Sequence, residues 1–186
     1  MIIPWRINTA NPGKRAEYER LFKKNAGLEN KNKQITFTHV EIDEIDSDPV
    51  SVVVHKASIV GERVLVDDTS LDVEGADIGI HVKWLKDKLL AYVGKKAQMR
   101  VLLAYRAGNQ VYVYCGETPG TITVPVGQGK QSFGIDPIFL PLGSRKTFAE
   151  EKPDALHPRA LAVKNLFEGK YFAIKPVIEK WQGKMQ

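Results

Sequence analysis

Two carboxylates stand side by side after an apolar run, Val64-Leu65-Val66-Asp67-Asp68. Like charges this close resist joint ionisation, and each loses hydration beside a buried strand, so the pair needs a positive occupant. A hard divalent cation suits it, because magnesium takes carboxylate, water and phosphate oxygens in an octahedral shell. One carboxylate would hold the ion while the other orients or deprotonates a water. The plainer alternative is that Asp68 caps a turn through the amides of Thr69 and Ser70 while Asp67 faces solvent. Glu41, Asp43, Glu44, Asp46 and Asp48 supply further oxygens upstream; Glu44 is the expected metal ligand and the rest are solvated surface.

A second group is Thr9-Ala10-Asn11-Pro12-Gly13-Lys14, between a first strand and a first helix. Amides at a helix start attract phosphate, and Thr9, Asn11 and Lys14 add a hydroxyl, an amide and a point charge. The glycine spacing and Gly-Lys-Ser/Thr ending of the nucleotide triphosphatase loop are absent, and Asn-Pro-Gly is also a common turn. Lys56 and Lys83 lie in apolar helical context, where a lysine either snorkels to water or reaches into a cleft. Phe133 and Asp136 flank Gly134 before Pro137: the ring is either a base-stacking surface or core, and the carboxylate can accept from a base edge. His157 and Arg159 open the last helix, to read a base edge or to satisfy the helix start. No histidine pair has zinc spacing, and no serine sits in a nucleophile-elbow frame.

The elements that position these residues read as α/β. A strand is expected over 2–9, a helix over 14–24 with Tyr18, Leu21 and Phe22 on one face, and a strand over 35–42. Residues 50–60 have both strand and helix character and are assigned to a helix, which returns the chain to a strand at 63–67. A helix is expected over 81–92, a hairpin from 98–106 and 110–116 around Ala107-Gly108-Asn109-Gln110, and a further strand at 120–126. A helix over 155–168 stops at Gly169, and an edge-like run, Tyr171-Phe172-Ala173-Ile174, precedes Pro176.

A chain of 186 residues can bury a substantial core, as one domain or as two lobes sharing a sheet. Its 43% apolar and 26% charged residues are those of a soluble globular protein. No apolar run spans a bilayer, Arg6 and Asn8 interrupt the run a signal peptide needs, and Cys115 stands alone. These features lead to the expectation of a cytoplasmic protein without a membrane partner. The net charge of +5 suits a ligand carrying several phosphates, while the lysine pairs at 23–24 and 95–96 form no compact stripe for a stable nucleic-acid partner.

Taken in order, these segments resemble the Ham1 family of inosine/xanthosine triphosphate pyrophosphatases. The resemblance runs from Thr9 to about Leu166. It rests on Thr9-Ala10-Asn11 with Lys14, His55-Lys56-Ala57, Leu65 through Asp67-Asp68 to Leu71, and Val82-Lys83-Trp84-Leu85. It continues in Phe133 through Asp136 to Phe139 with Pro141, and in Thr147 through Glu150 to Lys152 and His157. The resemblance implies an elongated mixed sheet with flanking helices, a single domain of two lobes around a nucleotide cleft, and a homodimer. It further implies magnesium-dependent hydrolysis of ITP, dITP or XTP to the monophosphate and pyrophosphate. Thr9, Asn11, Lys14, Lys56 and Lys83 would then hold phosphates, Asp68 and Glu44 the magnesium, and Asp67 the metal or its water. Phe133, Asp136, Lys152 and His157 would surround the base. Two departures stand out: the loop at Gly75 to His81 is shorter than is typical, and Pro158 separates His157 from Arg159 where members have an adjacent His-Arg. The second leaves a different base preference open, and a non-catalytic nucleotide-binding or interaction protein of the same fold is the other alternative.

Overall fold

The computed structural model describes residues 5–26, 35–79, 81, 86–127 and 134–186, with side chains excepted at 77, 78, 86 and 87. Its elements in chain order are β1 (Arg6–Asn8), α1 (Pro12–Asn25), β2 (Thr36–Thr38), α2 (Pro49–Val60), β3 (Val64–Val73) and β4 (Ala76–Gly79). A 3-10 turn (Lys86–Tyr92) leads to β5 (Lys96–Ala107) and β6 (Gln110–Ile122). A short 3-10 turn (Asp136–Ile138), β7 (Phe139–Pro141), α3 (Pro158–Phe167) and β8 (Ala173–Pro176) complete the order. The sheet runs β2-β1-β3-β5-β6-β7, with β4 on β3 and β8 on β6. β1 is parallel to both β2 and β3, whereas β4, β7 and β8 pair antiparallel, so this is a mixed α/β sheet.

Helix starts follow from local chemistry. Asn11 accepts from the Lys14 amide at 3.1 Å and Asp48 from the amides of Val50 and Ser51 at 3.0 Å, each followed by a proline with helical φ already set. The ambiguous run at 50–60 is therefore a helix, and Gly61, at φ +108°, ends it.

The chain forms two compact units. The first comprises residues 1–68, 102–115 and 162–186. Val53, Val54 and Ala57 of α2 pack there with Val66, Leu102, Ala104, Val111 and Val113. Trp5, Phe22, Tyr105 and Phe167 belong to the same unit, joined by edge-on ring contacts of Trp5 with Phe22 and Tyr105 and of Phe22 with Phe167. The second unit, residues 69–101 and 116–161, has its own core of Leu71, Leu89, Met99, Ile122, Ile138, Phe139 and Phe148.

Several boundaries depart from the sequence expectations. The strand expected to end at Asp67 continues to Val73, because Ser70, Leu71 and Val73 are buried beyond it; the acids therefore lie within β3. The strand expected at 120–126 is instead the end of β6, which passes through Pro119-Gly120 to Ile122. The Pro119 carbonyl accepts from Leu142, and a Cβ on Gly120 would meet the Phe139 ring 2.7 Å away. Pro119-Gly120 is thus the place where β7 approaches β6. Of the helix expected over 81–92, the described part from Lys86 is a 3-10 turn. The last helix starts at Pro158, the preceding residues forming a turn in which Leu156 and His157 donate to the Pro153 carbonyl. The tail strand lies at 173–176 and pairs with residues 110–113 of β6.

Candidate functional site

Parallel pairing builds the first cluster. Ile7 of β1 is level with Leu65 of β3, so the chain leaves β1 at Thr9 beside the two acids that follow Leu65 and Val66. In parallel α/β sheets, groups gather at such carboxyl ends of strands and at the helix starts after them. The Thr9 hydroxyl accepts from the Asn11 amide at 3.2 Å, and Asn11 caps α1. From the first turn of that helix, Lys14 Nζ reaches Asp67 Oδ1 at 2.8 Å. Asp67 is only 8% exposed, which overturns the alternative in which it faces solvent.

The second cation comes from the middle of α2. Lys56 Nζ lies 2.7 Å from Asp68 Oδ1 and 3.0 Å from Glu44 Oε1. Burial on its own would push the Lys56 ammonium down, but Asp68 and Glu44 outweigh it and hold the pKa above the ordinary lysine value. At Asp68 burial dominates and raises the carboxyl, with Lys56 and Lys14 pulling the other way. Next to Lys56, the His55 imidazole is pushed down by burial and then by the Lys56 charge, with Asp43 opposing.

Asp68 and Glu44 are thus gathered around one cationic centre, and their donors are the hard oxygens a magnesium ion prefers. Among the described residues no group of three or more His, Cys, Asp and Glu side chains could hold a metal ion. The two carboxylates fit the mode in which one or two protein oxygens are completed by water and phosphate.

The second unit carries its own pair. Lys152 Nζ lies 2.6 Å from Asp136 Oδ2, and Asp136 is 2% exposed. The 3-10 turn holds Asp136 in place, its carbonyl accepting from the Ala149 amide at 3.2 Å. His157 and Arg159 are both buried, and the His157 ring meets Phe148 edge-on at 4.9 Å. Pro158 sits at the start of α3 between them. Lys83 and Phe133 lie outside the described residues.

Sequence reasoning missed what holds Glu44. The Glu44 carbonyl accepts from the Gln186 amide and the Asp46 amide donates to the Lys184 carbonyl, both at 2.9 Å. An isolated tryptophan, Trp181, in an otherwise polar stretch was the available signal, and its ring lies edge-on to His55.

A mixed, partly parallel sheet flanked by helices is the α/β architecture of the Ham1 fold. The chain belongs to the Ham1 family, whose model matches residues 5–169, and is accordingly an enzyme, a hydrolase. It is 30% identical over 159 residues to a dITP/XTP pyrophosphatase of Thermococcus kodakarensis, covering 76% of this chain and 82% of that protein. It is 29% identical over 167 residues to an inosine triphosphate pyrophosphatase of Batrachochytrium dendrobatidis, covering 81% and 82%. A dITP/XTP pyrophosphatase of Pyrobaculum aerophilum is 36% identical over 124 residues, 58% of this chain and 65% of that one. Among the described residues no helix is long and apolar enough to cross a membrane.

Proposed function

We propose that this enzyme hydrolyses inosine, deoxyinosine and xanthosine triphosphates to the monophosphate and pyrophosphate, with magnesium. The observation that carries the proposal is the cluster in which Lys14 meets Asp67 and Lys56 meets both Asp68 and Glu44, in a chain whose relatives are named for this activity.

Asp68 and Glu44 would hold the magnesium, which supplies charge neutralisation at phosphoryl oxygens and favours deprotonation of water. Thr9, Asn11, Lys14 and Lys56 would bind the phosphates, each lysine exchanging part of its carboxylate contact for a phosphate oxygen. Water adds to the α-phosphorus, the bond from that phosphorus to the bridging oxygen breaks, and pyrophosphate departs with the electron pair. The Asp67 carboxylate receives the proton of the attacking water. Rate acceleration comes from placing these charges before the reaction begins. Lys83 belongs with the phosphate-binding set, while Phe133, Asp136, Lys152, His157 and Arg159 are assigned to the base and its surroundings. A 6-oxo purine is selected by donors that a 6-amino base leaves unmatched. The resemblance also extends to a homodimer, for which sedimentation is the direct test.

Pro158 supports a second proposal, the same reaction with another base preference, since proline fixes the backbone between His157 and Arg159 and removes a donor. Pyrophosphate release from ITP, dITP, XTP and the standard triphosphates, with and without magnesium, decides between them. Preference for the 6-oxo purines supports the first, preference for another base the second, and absence of magnesium-dependent release from every nucleotide overturns both.

A further inference from the structure

Glu44 lies in a stretch without helix or extended strand, so its local sequence does little to fix the direction of its carboxylate. Contacts from residues 181–186 supply what is missing. Ile45 and Met185 form an antiparallel bridge, flanked by the bonds from Gln186 N to Glu44 O and from Asp46 N to Lys184 O. The Gln186 side-chain amide adds a bond to the Ile45 carbonyl at 2.9 Å, and Ile45 is fully buried. The backbone from the Glu44 carbonyl to the Asp46 amide, directly after the Glu44 side chain, is therefore tied to this short segment.

The segment is itself folded back on a tryptophan. Trp181 Nε1 donates to the Lys184 carbonyl at 2.9 Å, and Gly183 lies so close to the indole that a Cβ there would meet Trp181 Cζ2 at 2.5 Å. The indole stands edge-on to His55, with ring centres 6.4 Å apart. His55 immediately precedes Lys56, the cation shared by Glu44 and Asp68. The same six residues thus contact the loop bearing Glu44 and the helix bearing Lys56, and they lie beyond the stretch that the family model matches.

We propose that residues 181–186 are a positioning strap for Glu44, with Trp181 and Gln186 as positioning residues that set the affinity of the Glu44–Asp68 pair for a divalent cation. This rests on the assignment of those two carboxylates to the metal. Outer contacts that orient a ligand change metal affinity by about 10- to 100-fold in general, and a strap acting on one carboxylate of two belongs near the lower end.

The test is Mn2+ binding to the full chain without nucleotide, read from the free-ion signal in electron paramagnetic resonance. Variants are Trp181→Ala, Gly183→Val, Gln186→Ala and Glu44→Gln, with thermal unfolding recorded for each. Trp181→Ala and Gly183→Val are expected to weaken Mn2+ by about tenfold. Gln186→Ala, which removes one side-chain bond and leaves the ladder, weakens it less and serves as the mild variant if the other two fail to fold. Combined with Glu44→Gln, none of the strap variants should weaken binding further, because the residue they position no longer ligates. Unchanged Mn2+ affinity in the strap variants, or an equal loss in the Glu44→Gln background, overturns the strap while leaving the metal assignment standing. Unchanged affinity in Glu44→Gln alone overturns the metal assignment of Glu44, and the strap with it.

Discussion

Lys14 Nζ and Asp67 Oδ1, 53 residues apart in sequence, meet at 2.8 Å, with the carboxylate almost wholly buried and the lysine partly open to solvent. A lysine so placed can neutralise Asp67 while retaining access to an incoming anion. In a Lys14→Met/Asp67→Asn double-mutant cycle read by chemical denaturation, the pair should show a coupling of about 0.5–3 kcal/mol. Turnover should fall in both single variants, with KM for the triphosphate rising mainly in Lys14→Met. Additive stability effects and unchanged kinetics would remove the pair from the site.

Burial raises the Asp68 carboxyl above its ordinary value, while the Lys56 ammonium 2.7 Å away favours its charged form. Asp68→Asn, which keeps an oxygen to accept from Lys56 but loses the charge, should leave a cooperatively folding protein while lowering kcat by about a hundredfold or more, the scale of losing one preorganised electrostatic group. Calorimetry beside the pyrophosphate assay separates the two effects; an inactive variant with a collapsed Tm would indicate a structural role instead.

The pH dependence of stability should carry a signature of His55. Its folded pKa lies below the ordinary 6.5, through burial and then the Lys56 charge, so the folded state binds fewer protons than the unfolded one. That contribution is fully present above pH 6.5 and is lost as pH falls through the lower, folded value. In His55→Phe the acid-side decline in unfolding midpoint should be shallower; denaturation at a series of pH values below 6.5 makes the comparison.

In the second unit, Lys152→Met removes the ammonium 2.6 Å from the buried Asp136 carboxylate. Loss of one member of a buried pair destabilises by about 3–5 kcal/mol. Denaturant unfolding of Lys152→Met measures that loss, and Lys152→Arg, which keeps the charge, should recover part of it. If the pair also serves the base, Asp136→Asn should alter the ratio of kcat/KM among nucleotides more than the magnesium requirement.

Gly120→Ala tests the close approach of β7 to β6. A methyl group there would run into the Leu140 carbonyl oxygen of β7 and meet the Phe139 ring at 2.7 Å, in the core of the second unit. Overpacking of this kind costs about 1–3 kcal/mol, and equilibrium unfolding should show it without a change in nucleotide preference.

Much of the local structure was legible because its causes are local. The helices expected over 14–24 and 50–60 form where Asn11-Pro12 and Asp48-Pro49 supply a cap and a fixed φ, Asp48 having been expected only as solvated surface, and Gly108-Asn109 closes the hairpin between β5 and β6. The order of motifs from Thr9 to His157 was likewise enough to point to the family. Boundaries were misjudged where distant contacts override local propensity: Ser70, Leu71 and Val73 carry β3 past its acids, and Phe139 draws Pro119-Gly120 into β6.

The sequence by itself determined which charged groups the chain possesses, and on which helix or strand most of them lie. Which lysine meets which acid was decided only by tertiary structure. Parallel pairing of β1 with β3 brings the start of α1 to Asp67, and α2 carries Lys56 to Asp68 and Glu44. The tie between residues 181–186 and Glu44 is longer still, with Gln186 and Ile45 separated by 141 positions. Periodicity and capping record interactions within a few residues, whereas an ion pair or bridge across the fold exists only once the sheet order has brought its two ends together.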